Sequence, residues 1–147
     1  MIEFRIRTFA MALIGTSTLL LASGCSHDDN TVNPGNTLQP TFSSIQTNIF
    51  STTCAVSGCH VGASAPHGLD LSAGQAYGNL VGMASMEVPE LNRITASNAD
   101  SSYLVIKIEG GKRMAVGTER MPFQRTPLTA EQIKAIRDWV TAGAQNN

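Results

Sequence analysis

Between Cys54 and His60 the chain reads Cys-Ala-Val-Ser-Gly-Cys-His, two thiols and one imidazole within seven residues. No other stretch restricts the fold so tightly, because whatever joins these three side chains has to be accommodated by everything around them. Only 5% of the residues are aromatic, and the loop after His60 is rich in Gly, Ala and Pro. Long loops with so few large side chains need something besides themselves to pack around.

Three chemistries answer to such a stretch. Covalent haem attachment needs two thiols to add to the two vinyl groups on one edge of a porphyrin, and a histidine beside the second thiol to reach the iron. The common spacing is C-x-x-C-H. Here it is C-x4-C-H, a longer loop that Ser57 and Gly58 keep small and flexible. A disulfide between Cys54 and Cys59 is the second reading. It would close a very short loop, gaining little from loop entropy, and it leaves His60 without a role. A zinc site is the third, but it requires a fourth ligand, and no second close cysteine or histidine pair exists in the sequence. Haem accounts for all three residues and is the reading carried forward.

The start of the chain sets the compartment. Arg5 and Arg7 precede an apolar run from Phe9 to Leu21, which has the form of a signal peptide and is shorter than the roughly 20 apolar residues that span a bilayer. It ends in Leu-Leu-Ala-Ser-Gly-Cys, similar to a bacterial lipobox, with Ala22 at the position where leucine is commonest and Leu21 one residue earlier. Residues 1–24 are therefore expected to be a lipoprotein signal peptide and Cys25 the lipidated first residue of the mature chain. An oxidising compartment follows for Cys54 and Cys59. Ser26 after the lipidated cysteine is compatible with outer-membrane sorting. The expected location is the cell envelope, periplasm-facing or at the outer membrane. After residue 24 there are eight basic and ten acidic side chains, a balance that offers nothing to nucleic acid and leaves membrane attachment to the lipid.

Residues 25–40 are polar, with Pro34, Gly35 and Pro40, and are expected to be a tether with an end-to-end distance of roughly 20 Å. A single folded domain over 41–147 is expected to be mainly α, about four short helices with long loops around one haem. Thr41 is placed to cap a helix whose apolar positions Phe42, Ile45, Ile49 and Phe50 recur at helical spacing and which delivers the chain to Cys54. A second short helix is expected from about Ser72. Asp100 is expected to cap a third, with Tyr103, Leu104 and Ile108 on one face and Gly110 as its stop, although the β-branched run there also suits a strand. The last helix has a capping box, Thr129 and Gln132, and an apolar face of Ile133, Ile136, Trp139 and Val140.

A haem bound through His60 demands a sixth ligand from elsewhere. The candidates are Met121, Met114, Met83, Met86 and His67. Met121 precedes Pro122, which biases it toward extended backbone in a loop before the last helix. Met83, Met86 and Met114 read as gap-filling core residues. His67 lies too few residues after His60 to pass easily around a porphyrin edge, and reads as an exposed or propionate-facing loop residue.

The order of helix, cysteine-cysteine-histidine motif, glycine-rich loop, late methionine and terminal amphipathic helix resembles small class I cytochromes c. More narrowly, IFSTTCAVSGCH, GLDLSAGQAYGNLVG, NADSSYLVIKIEG, RMPF and PLTAEQIKAIRDWVTAGA resemble the cytochrome c-like domains of bacterial exported proteins, including those of planctomycetes, over about residues 41–145. The four-residue cysteine loop departs from most of them and is known among class III multihaem cytochromes c. The resemblance implies one covalent haem c, thioether bonds at Cys54 and Cys59, proximal ligation by His60 and distal ligation by Met121. It implies a lipid-anchored electron carrier, not an enzyme, working with redox protein partners. Lys107, Lys112, Arg113, Arg120 and Arg125 near the distal loop would favour an acidic partner if they surround the exposed haem edge. Two rival functions remain beside it. One is a non-haem binding module with a Cys54–Cys59 disulfide, and the other a haem sensor or peroxidase with an open iron position.

Overall fold

Thr41 begins the first helix in the computed structural model, which describes residues 38–147. Its backbone is extended and its hydroxyl accepts from the Ser44 amide, as expected of an N-cap. The remaining free amides of that first turn find partners far away in sequence. Phe42 donates to the Asn147 side chain at 2.9 Å and Ser43 to the Asn147 carbonyl at 2.8 Å. The expected signal peptide, Cys25 and most of the tether lie outside the described residues.

Helix α1 spans Phe42–Ile45 and runs directly into a π-helical segment, Gln46–Cys54. A single α-helix was the expectation, and the chain instead changes register after Ile45. The Thr52 hydroxyl donates to the Asn48 carbonyl at 2.9 Å. Because each π turn takes in an extra residue, Cys54 comes round to the same side as both Ile49 and Phe50, which are buried.

A 3₁₀ turn, Pro66–Gly68, precedes helix α2, Ala76–Leu80. Helix α2 starts later than Ser72 because Gly74 adopts φ 84°, outside helical space. Ser72 instead closes a turn onto Asp70, whose carboxylate accepts from the Ser72 amide and hydroxyl at 2.9 and 2.6 Å.

Helix α3 spans Tyr103–Glu109, so the β-branched run is helical and not a strand. Its N-cap is Ser102, and Asp100 does not cap it. Asp100 is drawn away by cations on two elements, accepting from Arg137 at 2.6 Å and Arg113 at 3.4 Å. Glu109 also pairs with both of these arginines, tying α3 to the last helix. Gly110 ends α3 as expected. Its φ is 73°, a left-handed conformation that favours glycine, and a Cβ there would also displace the Arg120 side chain, 2.8 Å away.

Helix α4, Ala130–Thr141, carries the full expected capping box, with Gln132 N donating to Thr129 Oγ1 at 3.2 Å and Thr129 N to Gln132 Oε1 at 3.0 Å. Ile136, Trp139 and Val140 are buried against Phe42, Ile45 and Ile49. The Phe42 ring lies 5.6 Å from Trp139 and edge-on to Tyr77 at 5.2 Å. Replacing Thr129 with Ala is expected to lower stability by about 1 kcal/mol. Urea unfolding followed by circular dichroism would check it, and an unchanged midpoint would mean that the cap does not limit α4.

Among the described residues there are four α-helices and no strand beyond isolated bridges such as Val81–Ile94. The mainly α expectation therefore holds at that level.

Candidate functional site

The loop after Cys54 turns back on itself. Cys59 N donates to Val56 O, and His60 N to Cys54 O at 3.0 Å, with Gly58 at φ 80° making the reversal. Four intervening residues therefore bring Cys59 and His60 back beside Cys54. Both cysteines are half-buried free thiols. Burial, and next the neighbouring Cys59, push the Cys54 thiol up to about 11, so it is uncharged at neutral pH. Among the described residues no group of three or more His, Cys, Asp or Glu side chains is placed to hold a metal ion.

His60 is oriented by its backbone neighbours. Its Nδ1 lies 3.1 Å from the Leu69 carbonyl. A carbonyl only accepts, so the proton sits on Nδ1 and Nε2 carries the lone pair. Burial, the largest influence, holds the imidazole below its usual pKa, against the opposing pull of the Leu69 carbonyl. The ring is thus neutral at pH 7 and competent as a ligand.

Met121 arrives from the opposite direction in sequence. The last turn of α3 leaves carbonyls without helical partners, and the following loop uses them. Met121 N donates to Lys107 O at 2.9 Å and Arg120 Nε to Ile108 O at 3.0 Å. These bonds set Met121 against the core, with Pro122 following it.

Cys54, His60 and Met121 all line one cleft of about 640 Å³, counted with its open mouth. Leu69, Leu71, Leu80, Leu104 and Ile108 supply its apolar wall. The lining, an apolar wall with a few polar groups, suits a mostly apolar ligand. Of the other expected candidates, His67 and Met86 also line the cleft, whereas Cys59, Met83 and Met114 do not. His67 is at the mouth, with its side chain 53% exposed and Nε2 4.0 Å from Glu87. Met86 is exposed as well, and so is Met83, which fills no core gap.

Two cations in the cleft wall escape sequence reasoning as site residues. Arg93 is buried, yet its guanidinium meets only the carbonyls of His67, Asn79 and Gly68 and makes no ion pair among the described residues. Lys107 is 5% exposed and pairs with Glu87 at 3.0 Å. It belongs to the cleft wall and not to a basic surface that could meet a partner. Arg113 is likewise committed to Asp100 and Glu109. The only sequence signal for Lys107 is its setting, a lone charge between apolar neighbours in Val-Ile-Lys-Ile, and Arg93 in Leu-Asn-Arg-Ile carries no clear one.

The Tyr103 hydroxyl is a further polar group of the cleft wall. It is buried, lines the cleft and has no hydrogen-bond partner within 3.5 Å, with Thr118 and Glu87 as polar neighbours. Burial holds it above the usual phenol range, so it remains a donor. A guanidinium without a carboxylate partner and a buried hydroxyl beside an apolar cleft suit a ligand whose rim carries carboxylates.

Comparison with protein-family models, curated proteins and solved structures returns no match.

Proposed function

We propose that the chain is a monohaem c-type cytochrome, held at a bacterial envelope membrane by lipid on Cys25, that passes single electrons between redox protein partners. The observation that carries this reading is the convergence of Cys54 and His60, from one short segment, and Met121, from a loop 61 residues further on, on one apolar cleft. Cys54 and Cys59 would hold the haem through thioether bonds, and His60 Nε2 and Met121 Sδ would ligate its iron. Haem so bound supplies a one-electron iron couple, and methionine ligation favours its reduced form.

The chain's own residues do the rest. The leucine and isoleucine wall excludes water, the Leu69 carbonyl holds the His60 tautomer, and the Arg93 charge and Tyr103 hydroxyl offset buried carboxylate. Nothing in this arrangement needs a position for a reacting substrate, so the proposed role is transfer and not catalysis.

The test is a pyridine haemochrome spectrum of denatured, acid-acetone-extracted protein made with its own leader and an active cytochrome c maturation system. Haem that stays with the chain is expected. A colourless protein with no free thiol would replace the reading with a disulfide-bonded binding module. For the sixth ligand, Met121→Ala is expected to abolish the sulfur-to-iron charge-transfer band. A ferric spectrum untouched by that substitution would point instead to an open iron position.

A further inference from the structure

The Arg93 guanidinium has an unusual set of partners for a buried cation. It spans 26 residues of sequence to donate to His67 O at 2.7 Å, reaches Gly68 O at 3.5 Å, and donates to Asn79 O at 2.8 Å. Its own backbone is fixed on both sides. Arg93 N donates to Met83 O at 2.7 Å, Leu104 N to Arg93 O at 2.9 Å, and Ile94 N to Leu80 O at 3.0 Å. Arg93 therefore reaches from a segment tied to α2 and α3 to a turn belonging to neither.

That turn has reason to need holding. His67 and Gly68 adopt φ 55° and 61° in succession, and left-handed backbone at a residue with a Cβ persists only when its surroundings impose it. The two carbonyls that Arg93 grips are one and two residues ahead of Leu69, whose carbonyl accepts from His60 Nδ1 at 3.1 Å.

We propose that Arg93 is a positioning residue for His60. Its planar fork fixes the His67–Gly68 turn, the turn aims the Leu69 carbonyl, and that carbonyl sets the ring plane and keeps the proton on Nδ1. The lone pair is thereby held on Nε2, the nitrogen the haem reading uses as the iron ligand. The role rests on that reading for its purpose but not for its test, because ring tautomer and turn geometry are properties of the chain alone. Lysine separates fork from charge, since it keeps a cation but cannot reproduce the guanidinium geometry.

The experiment uses ¹⁵N-labelled full-length chain, wild type beside Arg93→Lys and Arg93→Gln. Long-range ¹H–¹⁵N spectra read the His60 tautomer, and amide exchange reads the turn. The wild type is expected to hold the Nδ1–H form. Both variants are expected to become tautomer mixtures, with the Gly68 and Leu69 amides, now bonded to Ala65 and Pro66 carbonyls, exchanging at least about tenfold faster than in the wild type while α4 amides are unchanged. In haem-loaded protein, Arg93→Lys is then expected to shift the reduction potential although charge is conserved.

An Nδ1–H ring that persists in both folded variants would overturn the proposal, as would an Nε2–H ring in the wild type. So would an Arg93→Lys chain that fails to fold, since Arg93 would then be a structural support of the whole domain. A colourless wild type with a fixed Nδ1–H tautomer would remove the haem reading and leave the positioning role standing.

Discussion

Replacing Cys54 and Cys59 together by serine is expected to leave a chain that retains no haem after acid-acetone extraction, while the wild type retains one per chain. The expectation follows from bond chemistry. A thiol adds to a vinyl group to give an extraction-resistant thioether, and a serine hydroxyl does not. Both positions are half-buried, and each change exchanges one small, weakly polar group for another. The cost to the fold should be modest, about 1–2 kcal/mol per site for hydroxyl burial, and far-UV circular dichroism should stay close to the wild type. The single variants sharpen the result. Each is expected to keep haem through one remaining thioether, with a haemochrome band displaced toward that of a porphyrin with one intact vinyl group. Covalent haem in the double variant would put the attachment elsewhere. Equal loss of haem and of helical signal would make the cysteines structural and leave attachment undecided by this route, so the singles carry the decision.

The same experiment bears on how the cleft is built. Cys54 lines it and Cys59 does not, although the two thiols are close enough for Cys59 to raise the Cys54 pKa. The C-x4-C loop turns at Gly58, with the His60 amide closing onto Cys54 O.

Where sequence reasoning succeeded, the deciding interactions are local. The Thr41 cap and the Thr129–Gln132 box are fixed within four residues, and Gly110 ends α3 because its own backbone must. The placement of Met121 in a loop was legible because Pro122 follows it. Where it fell short, distant groups decide. Asp100 caps nothing because Arg137 and Arg113, 37 and 13 residues on, hold its carboxylate. Lys107 has the composition of a surface residue, but Glu87, 20 residues earlier, lets it be buried. Arg93 binds carbonyls of a turn 25 and 26 residues before it, and no spacing rule covers such a bond. The π register after Ile45 was not legible either. The apolar periodicity of Phe42, Ile45, Ile49 and Phe50 is too short to distinguish the two helices.

Trp139→Ala is expected to cost about 3–5 kcal/mol, a large share of the roughly 5–15 kcal/mol that holds a domain of this size together. Trp139 is 1% exposed, its ring meets Phe42, and its indole N–H donates to Gln145 O at 2.8 Å. With so few aromatic side chains in the chain, nothing nearby is large enough to refill the space, so most of the cavity should remain. The thermal midpoint should fall by roughly 15–30 °C. Trp139→Phe separates the two contributions, keeping an aromatic ring against Phe42 and losing the N–H bond. Because Gln145 is exposed, its carbonyl can turn to water, and this variant should lose only about 1–2 kcal/mol. The order wild type, Phe, Ala in midpoint is therefore the result expected from circular dichroism melts. If Phe and Ala fell equally, the indole hydrogen bond and not packing would be holding α4. If neither moved the midpoint, α4 would not be anchored through this residue. The consequence reaches the cleft, because α4 packs on α3, and α3 presents Leu104, Lys107 and Ile108 to its wall. Weakening the Trp139 contact should therefore loosen the wall on the side where Met121 is tied to Lys107 O. In haem-loaded Trp139→Ala, the sulfur-to-iron charge-transfer band should disappear on heating before the helical signal does.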